Sequence, residues 1–122
     1  MGPYQLPDTF LEGLLQEDSP CGDATTFALG IGHLPGRLVF RARGEMVLCG
    51  SEEAARLGEL RGLTAVGPIR ASASALAAGD ENLCLDGDAA SLHLVWKTAQ
   101  TLMEYLSGIA TRTAEIVAAA RR

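Results

Sequence analysis

The stretch Trp96-Lys97-Thr98-Ala99-Gln100-Thr101-Leu102-Met103-Glu104-Tyr105-Leu106-Ser107-Gly108-Ile109-Ala110-Thr111 decides how this chain folds. Together with the residues before it, it places apolar side chains at Leu92, Val95, Trp96, Ala99, Leu102, Met103 and Leu106. That three-and-four spacing is the pattern of a helix burying one face. Ser107-Gly108 is predicted to break the helix. Beyond the break, Ile109, Ala110, Thr113, Ile116, Val117 and Ala120 carry the same spacing into one more amphipathic helix. His93, Lys97, Gln100 and Glu104 also lie three or four residues apart, so their side chains form one polar row on the outer side. This row is the best candidate site in the sequence; its plainer reading is a solvated helix face.

Working outward, a first helix starts at Pro7 or Asp8, runs through Phe10, Leu11, Leu14 and Leu15, and stops at Ser19-Pro20. A loop of Gly, Asp and Thr follows. Strands are predicted near residues 37–43 and 45–49. Ser51 then caps a helix whose first turn carries Glu52 and Glu53, and which ends around Gly62. From Leu63 to Asp86 the chain reads as short β pieces punctuated by turns at Gly67-Pro68, Gly79-Asp80 and Gly87. Asp88 caps the long helix. This order, helix, strands, helix, strands and two helices, fits an α+β domain. Within residues 37–43, Arg37, Arg41 and Arg43 share one strand face and Leu38, Phe40 and Ala42 the other. The arginine face reads as solvated, with an anion-facing or subunit-facing patch as the alternative.

Composition limits the functional classes. The 122 residues are 48% hydrophobic and 20% charged, an ordinary balance for a single domain. A net charge of −5 opposes nucleic-acid binding, which needs a concentrated basic footprint. Cys21, Cys49 and Cys84 are odd in number and widely spaced, so neither a disulfide framework nor a zinc site is expected, and His33 and His93 lack paired spacing. Cys21, in a Pro-Cys-Gly loop, is the one expected to be exposed. The first eight residues carry no basic charge or long apolar run, and no stretch approaches the length of a membrane span. A cytoplasmic location follows as the default. The only lysine is Lys97, which rules out a phosphate-binding P-loop, and Gly30-Ile31-Gly32 is followed by His33-Leu34-Pro35, which fails the dinucleotide fingerprint. Asp86 and Asp88, near glycine, read as turn and cap residues.

Four motifs stand in order over roughly residues 11 to 118. They are Glu17-Asp18-Ser19-Pro20-Cys21-Gly22-Asp23-Ala24-Thr25-Thr26; Arg41-Ala42-Arg43 with Met46-Val47-Leu48-Cys49-Gly50 and Glu53-Ala54-Ala55-Arg56; Ala78-Gly79-Asp80 with Asp86-Gly87-Asp88-Ala89; and Trp96-Lys97-Thr98-Ala99 with Ser107-Gly108-Ile109-Ala110-Thr111. The set resembles the quinolinate phosphoribosyltransferase (nicotinate-nucleotide pyrophosphorylase) family. Trp96-Lys97, where that family usually has Glu-Arg, resembles its ModD-type branch, which is associated with molybdenum transport. The resemblance implies an α/β-hammerhead-like amino-terminal domain with a small barrel-like β portion over residues 1–108. It also implies a helical extension over 109–122, leading toward a catalytic α/β barrel that these residues do not include. The implied reaction moves a phosphoribosyl group from phosphoribosyl pyrophosphate to a nitrogen heterocycle with magnesium, releasing pyrophosphate, and carbon dioxide too when quinolinate is the acceptor.

By the same resemblance, Lys97 takes the place of an arginine that reaches a substrate carboxylate in the neighbouring subunit. The chain would contribute this lysine and a dimer surface but no catalytic residues. A lysine is a compact point charge where arginine offers a planar fork, so the exchange alters which acceptor would suit the site. His93, Gln100 and Glu104 would adjust the position and charge of Lys97. The alternative is a stand-alone, non-catalytic binding or assembly module.

Overall fold

A computed structural model describes residues 6–18 and 30–121. The loop carrying Cys21 and most of the first motif lies outside the described residues. The elements, in chain order, are α1 (Asp8–Asp18), β1 (Pro35–Arg41), β2 (Met46–Val47), α2 (Ser51–Glu59), β3 (Thr64–Ala65), β4 (Ala75–Leu76), β5 (Glu81–Asp88) and α3 (Ala89–Ala120). The described residues build the mixed α and β domain expected from the sequence and no α/β barrel.

β5 runs between its antiparallel neighbours β1 and β3, while β2 pairs with β4. The two sheets form one kinked ribbon. Ala42 N donates to Asp80 O and Gly79 N to Ala42 O across the kink, and Leu48 N donates to Ser74 O beyond β2. The register places Arg37 opposite Asp86, and Arg37 grips that carboxylate with two hydrogen bonds of 2.6 and 2.9 Å. Arg41 likewise meets Glu81 at 2.8 Å. The arginine face is thus exposed as expected, with two of its cations matched by acids on the neighbouring strand.

Phe40, Leu83 and Leu85 of the sheet meet Leu92, Val95, Ala99 and Met103 of α3, and α1 and α2 close the core with Leu11, Leu15, Ala54 and Leu57. Fully burying each large aliphatic side chain contributes roughly 1.5–3 kcal/mol, so this shared interior holds the layers together. Two bidentate ion pairs dock α1 at the surface, Arg56 on Asp8 and Arg61 on Glu12.

Four local expectations change. First, α3 does not break at Ser107-Gly108 but runs through it, 32 residues in all from Ala89 to Ala120. Ser107 is buried, and its hydroxyl is used by the backbone of Cys49, so the serine anchors the helix to β2's continuation. Second, Gly50 rather than Ser51 stands at the cap of α2, in the left-handed region at φ 95°. A Cβ there would lie 2.9 Å from Leu106 Cδ1, so glycine serves both the backbone turn and the close approach of α3. Ser51 instead donates to Arg70 O at 2.6 Å. Third, Gly87 is not a turn: it lies within β5 opposite Gly36, and the Leu63 side chain fills the space above it. Fourth, Trp96 is 48% exposed rather than buried, because the buried arc of α3 centres on Val95 and Ala99 and leaves Trp96 on its margin. Asp88 caps α3 as expected, accepting from Ser91 N at 2.7 Å.

Candidate functional site: the polar flank and groove of α3

The regular turn of α3 keeps the four row residues on one flank, with His93, Lys97 and Glu104 exposed and Gln100 half-buried. Gln100 Nε2 donates to Glu104 Oε1 at 3.1 Å, a pair one turn apart. Lys97 has no ion-pair partner among the described residues. Its ammonium is therefore available to an anion approaching from outside the domain.

The structure divides this row. Gln100 and Glu104 line a groove between α3 and the β1–β2 segment, whereas His93 and Lys97 do not. The groove encloses about 760 Å³. Val39, Met46 and Trp96 are its partly exposed apolar lining, backed by the buried Phe40, Leu48 and Met103. Ser107 and Thr111 also line it, although their hydroxyls are engaged with the backbone of Cys49 and Val47. Asn82 is 5% exposed, and among the described residues its Oδ1 has no hydrogen-bond partner. A buried acceptor left unmatched costs roughly 1–3 kcal/mol.

The charges around the groove are mixed. Arg41 and Arg112 are paired with Glu81 and Glu115, while Arg43, Glu45 and Glu104 are exposed in the same lining. No concentrated field of one sign results. Among the described residues, no three His, Cys, Asp or Glu side chains come together as a metal site. Cys49 and Cys84 are half-buried free thiols.

The row itself was readable from spacing, but the groove was missed. Trp96 matches the apolar period of α3 and so read as core; its position at the edge of the buried arc was the available hint. Asn82 carries no comparable signal, because its burial depends on α3 crossing the ribbon.

The described residues thus form a small mixed α and β domain in which an antiparallel ribbon is crossed by one long helix. The chain belongs to the family described as quinolinate phosphoribosyl transferase, N-terminal domain, whose model matches residues 23–107. A Rhodobacter capsulatus protein carrying the name pyrophosphorylase ModD is 42% identical over 118 residues, covering 97% of this chain and 45% of that protein. An Escherichia coli protein of the same name is 33% identical, covering 95% of this chain and 40% of its own length. Among solved structures, NadC from Streptococcus pyogenes superposes with a TM-score of 0.86 at 30% identity, covering 98% of this chain and 42% of that one. The chain therefore spans less than half the length of these relatives. Among the described residues, no helix is long and apolar enough to cross a membrane.

Proposed function

We propose that this chain acts as the amino-terminal domain of a ModD-type phosphoribosyltransferase, presenting Lys97 to an anionic group in the active site of a neighbouring subunit. The observation that carries this reading is the exposed, unpaired Lys97 on the flank of α3, at the place that resembles the family's substrate-contacting arginine. Phosphoribosyl pyrophosphate and a nitrogen heterocycle are the substrates, and pyrophosphate is the leaving group. A point charge on a flexible stem suits an anion that does not demand a bidentate fork. Gln100 and Glu104, bonded to each other one turn on, set the local charge beside it, and His93 lies one turn before it. The magnesium implied by the resemblance finds no ligand set among the described residues. Homodimerisation, a cytoplasmic location and a role alongside molybdenum transport complete the proposal.

The test is pyrophosphate release by the native gene product from phosphoribosyl pyrophosphate and a panel of nitrogen heterocycles. Wild type is expected to turn over, Lys97→Ala to lose about tenfold or more of kcat/KM, and Lys97→Arg to recover part of it. The 122-residue chain by itself is expected to release none. Lysine-independent turnover would remove Lys97 from the site. Lys97-dependent release by the 122 residues alone would overturn the assignment of catalysis to residues outside them.

A second reading, a non-catalytic assembly module, is favoured by the apolar stripe Tyr105, Ile109, Ile116 and Val117, which is exposed along the distal half of α3. Such a patch favours self-association. Sedimentation of the native gene product as a dimer without any turnover would support it.

A further inference from the structure

The far half of α3 carries a seam that no other described element covers. Leu102, Leu106, Ile109, Thr113, Ile116 and Ala120 follow one another at alternating steps of four and three, the heptad spacing of a coiled-coil seam. The first two are half-buried: Leu102 packs on the shared core, and Leu106 lies against Gly50. From Ile109 onward the seam is open to solvent, with Ile109 51% and Ile116 58% exposed. Thr113 keeps its hydroxyl off the seam by donating to Ile109 O at 2.8 Å. The charges that flank this stretch, Arg112 and Glu115, are paired with each other at 3.2 Å, so the seam is bordered by a neutral pair.

We propose that two copies of this chain pair through this seam as an antiparallel coiled coil, with the two-fold axis between residues 114 and 115. In that register the seam is complementary to itself. Ile109 meets the second copy's Ala120, and Ile116 meets its Thr113, so each layer sets a large side chain on a small one. Val117 lies beside the second copy's Ala110. Arg112 comes within about 3 Å, measured along the axis, of the second copy's Glu115, so the flanking charges that face each other are opposite. Parallel pairing is blocked, because the seam then runs on through Leu102 and Leu106, where each domain's own body already packs, and the two bodies would collide. In the antiparallel pair each body lies beyond the last turn of the other copy's α3. This inference rests on the self-association reading of the apolar stripe and adds to it the occupant, the direction and the register.

Sedimentation equilibrium of the 122-residue chain should show reversible dimers with a Kd of about 100 µM or below. Ile116→Glu, at a position open to solvent in the single copy, should keep the far-ultraviolet circular dichroism and raise that Kd about tenfold or more. Direction is read by mixing Ile109→Cys with Ala120→Cys and adding a short bismaleimide. A cross-link between positions 109 and 120, identified by mass spectrometry of the tryptic peptides, is expected. Each of these positions stands about 16 Å along the axis from its own counterpart, so links joining 109 to 109 or 120 to 120 should be absent. A chain still monomeric at about 1 mM would mean that something other than a second copy covers the seam, and would overturn the proposal. Dimers indifferent to Ile116→Glu, or cross-links joining like positions, would overturn it as well, while leaving self-association through another arrangement in place. Turnover by the native gene product would remove the assembly-module reading without touching the pairing, so the two fail separately.

Discussion

Ser107 Oγ accepts a hydrogen bond from Cys49 N at 2.9 Å and donates one to Cys49 O at 3.1 Å. One helical turn later, Thr111 Oγ1 accepts from Val47 N at 2.9 Å and reaches back toward Val47 O at 3.5 Å. Two hydroxyls on α3 thus replace a neighbouring strand along the edge of β2. The spacing explains the Ser-Gly-Ile-Ala-Thr motif physically: four residues on a helix rise about 6 Å, close to the two-residue advance of a strand at about 3.3 Å per residue.

Ser107→Ala would leave both Cys49 backbone groups without this partner. We expect a loss of about 1–3 kcal/mol in unfolding free energy, read from urea denaturation with circular dichroism. Thr111→Val should cost less, because Thr111 is only half-buried and its second contact is long. Unchanged urea midpoints for both variants would show that the clasp contributes nothing net.

Gly108→Ala should stabilise the 122-residue chain by about 1 kcal/mol, since alanine is the better helix former and the position is open. Thermal unfolding provides the check. A fall in Tm would mean that the helix is not continuous through this point in solution.

Ala73 holds φ at 76°, the left-handed region, while its N–H donates to Leu48 O at 2.7 Å. Non-glycine residues are strained there by about 1–2 kcal/mol. After allowing for the greater freedom of an unfolded glycine, Ala73→Gly should gain roughly 0.5–1 kcal/mol in chemical denaturation. A destabilised variant would contradict the positive φ.

Acid should loosen the domain from its carboxylates. Burial alone would raise the Glu52 carboxyl, but hydrogen bonds from the hydroxyl and backbone N–H of Ser72, with Glu52's own backbone N–H, outweigh it and hold it below its ordinary value of 4.5. Arg56 holds Asp8 below 3.8, and Arg61 with Gln16 holds Glu12 below 4.5. Groups depressed in the folded state contribute stability that is present above their unfolded values and is lost as pH falls through the folded ones. Stability should therefore decline below about pH 4.5, and Glu52→Gln should flatten part of that decline while lowering stability at neutral pH. An identical acid profile for wild type and Glu52→Gln would exclude this carboxylate as a contributor.

Much of the architecture is legible in the sequence where local chemistry decides it. The period of Leu92, Val95, Ala99 and Met103 gives α3 and its buried face, and Asp88 marks its start. Gly67 and Gly79 mark turns with positive φ. What could not be read depends on distant partners. Ser107 keeps the helix whole through Cys49, 58 positions earlier, and Gly87 is fixed by Leu63 rather than by a bend. The candidate row was legible as a set, but its division was not. Gln100 and Glu104 face the groove, and Lys97 does not, because β1 and β2 lie on one side of the helix.

Beyond Thr111, the last hydroxyl anchored to the ribbon, residues 112–120 of α3 are exposed on every face. At 1.5 Å per residue, this span makes a rigid lever roughly 13 Å long. A body carried at its tip would be positioned by helical phase as much as by contact. Removing a single residue from the lever would draw that body inward by about 1.5 Å and swing it through about 100°, so the length of this bare segment acts as an angular setting.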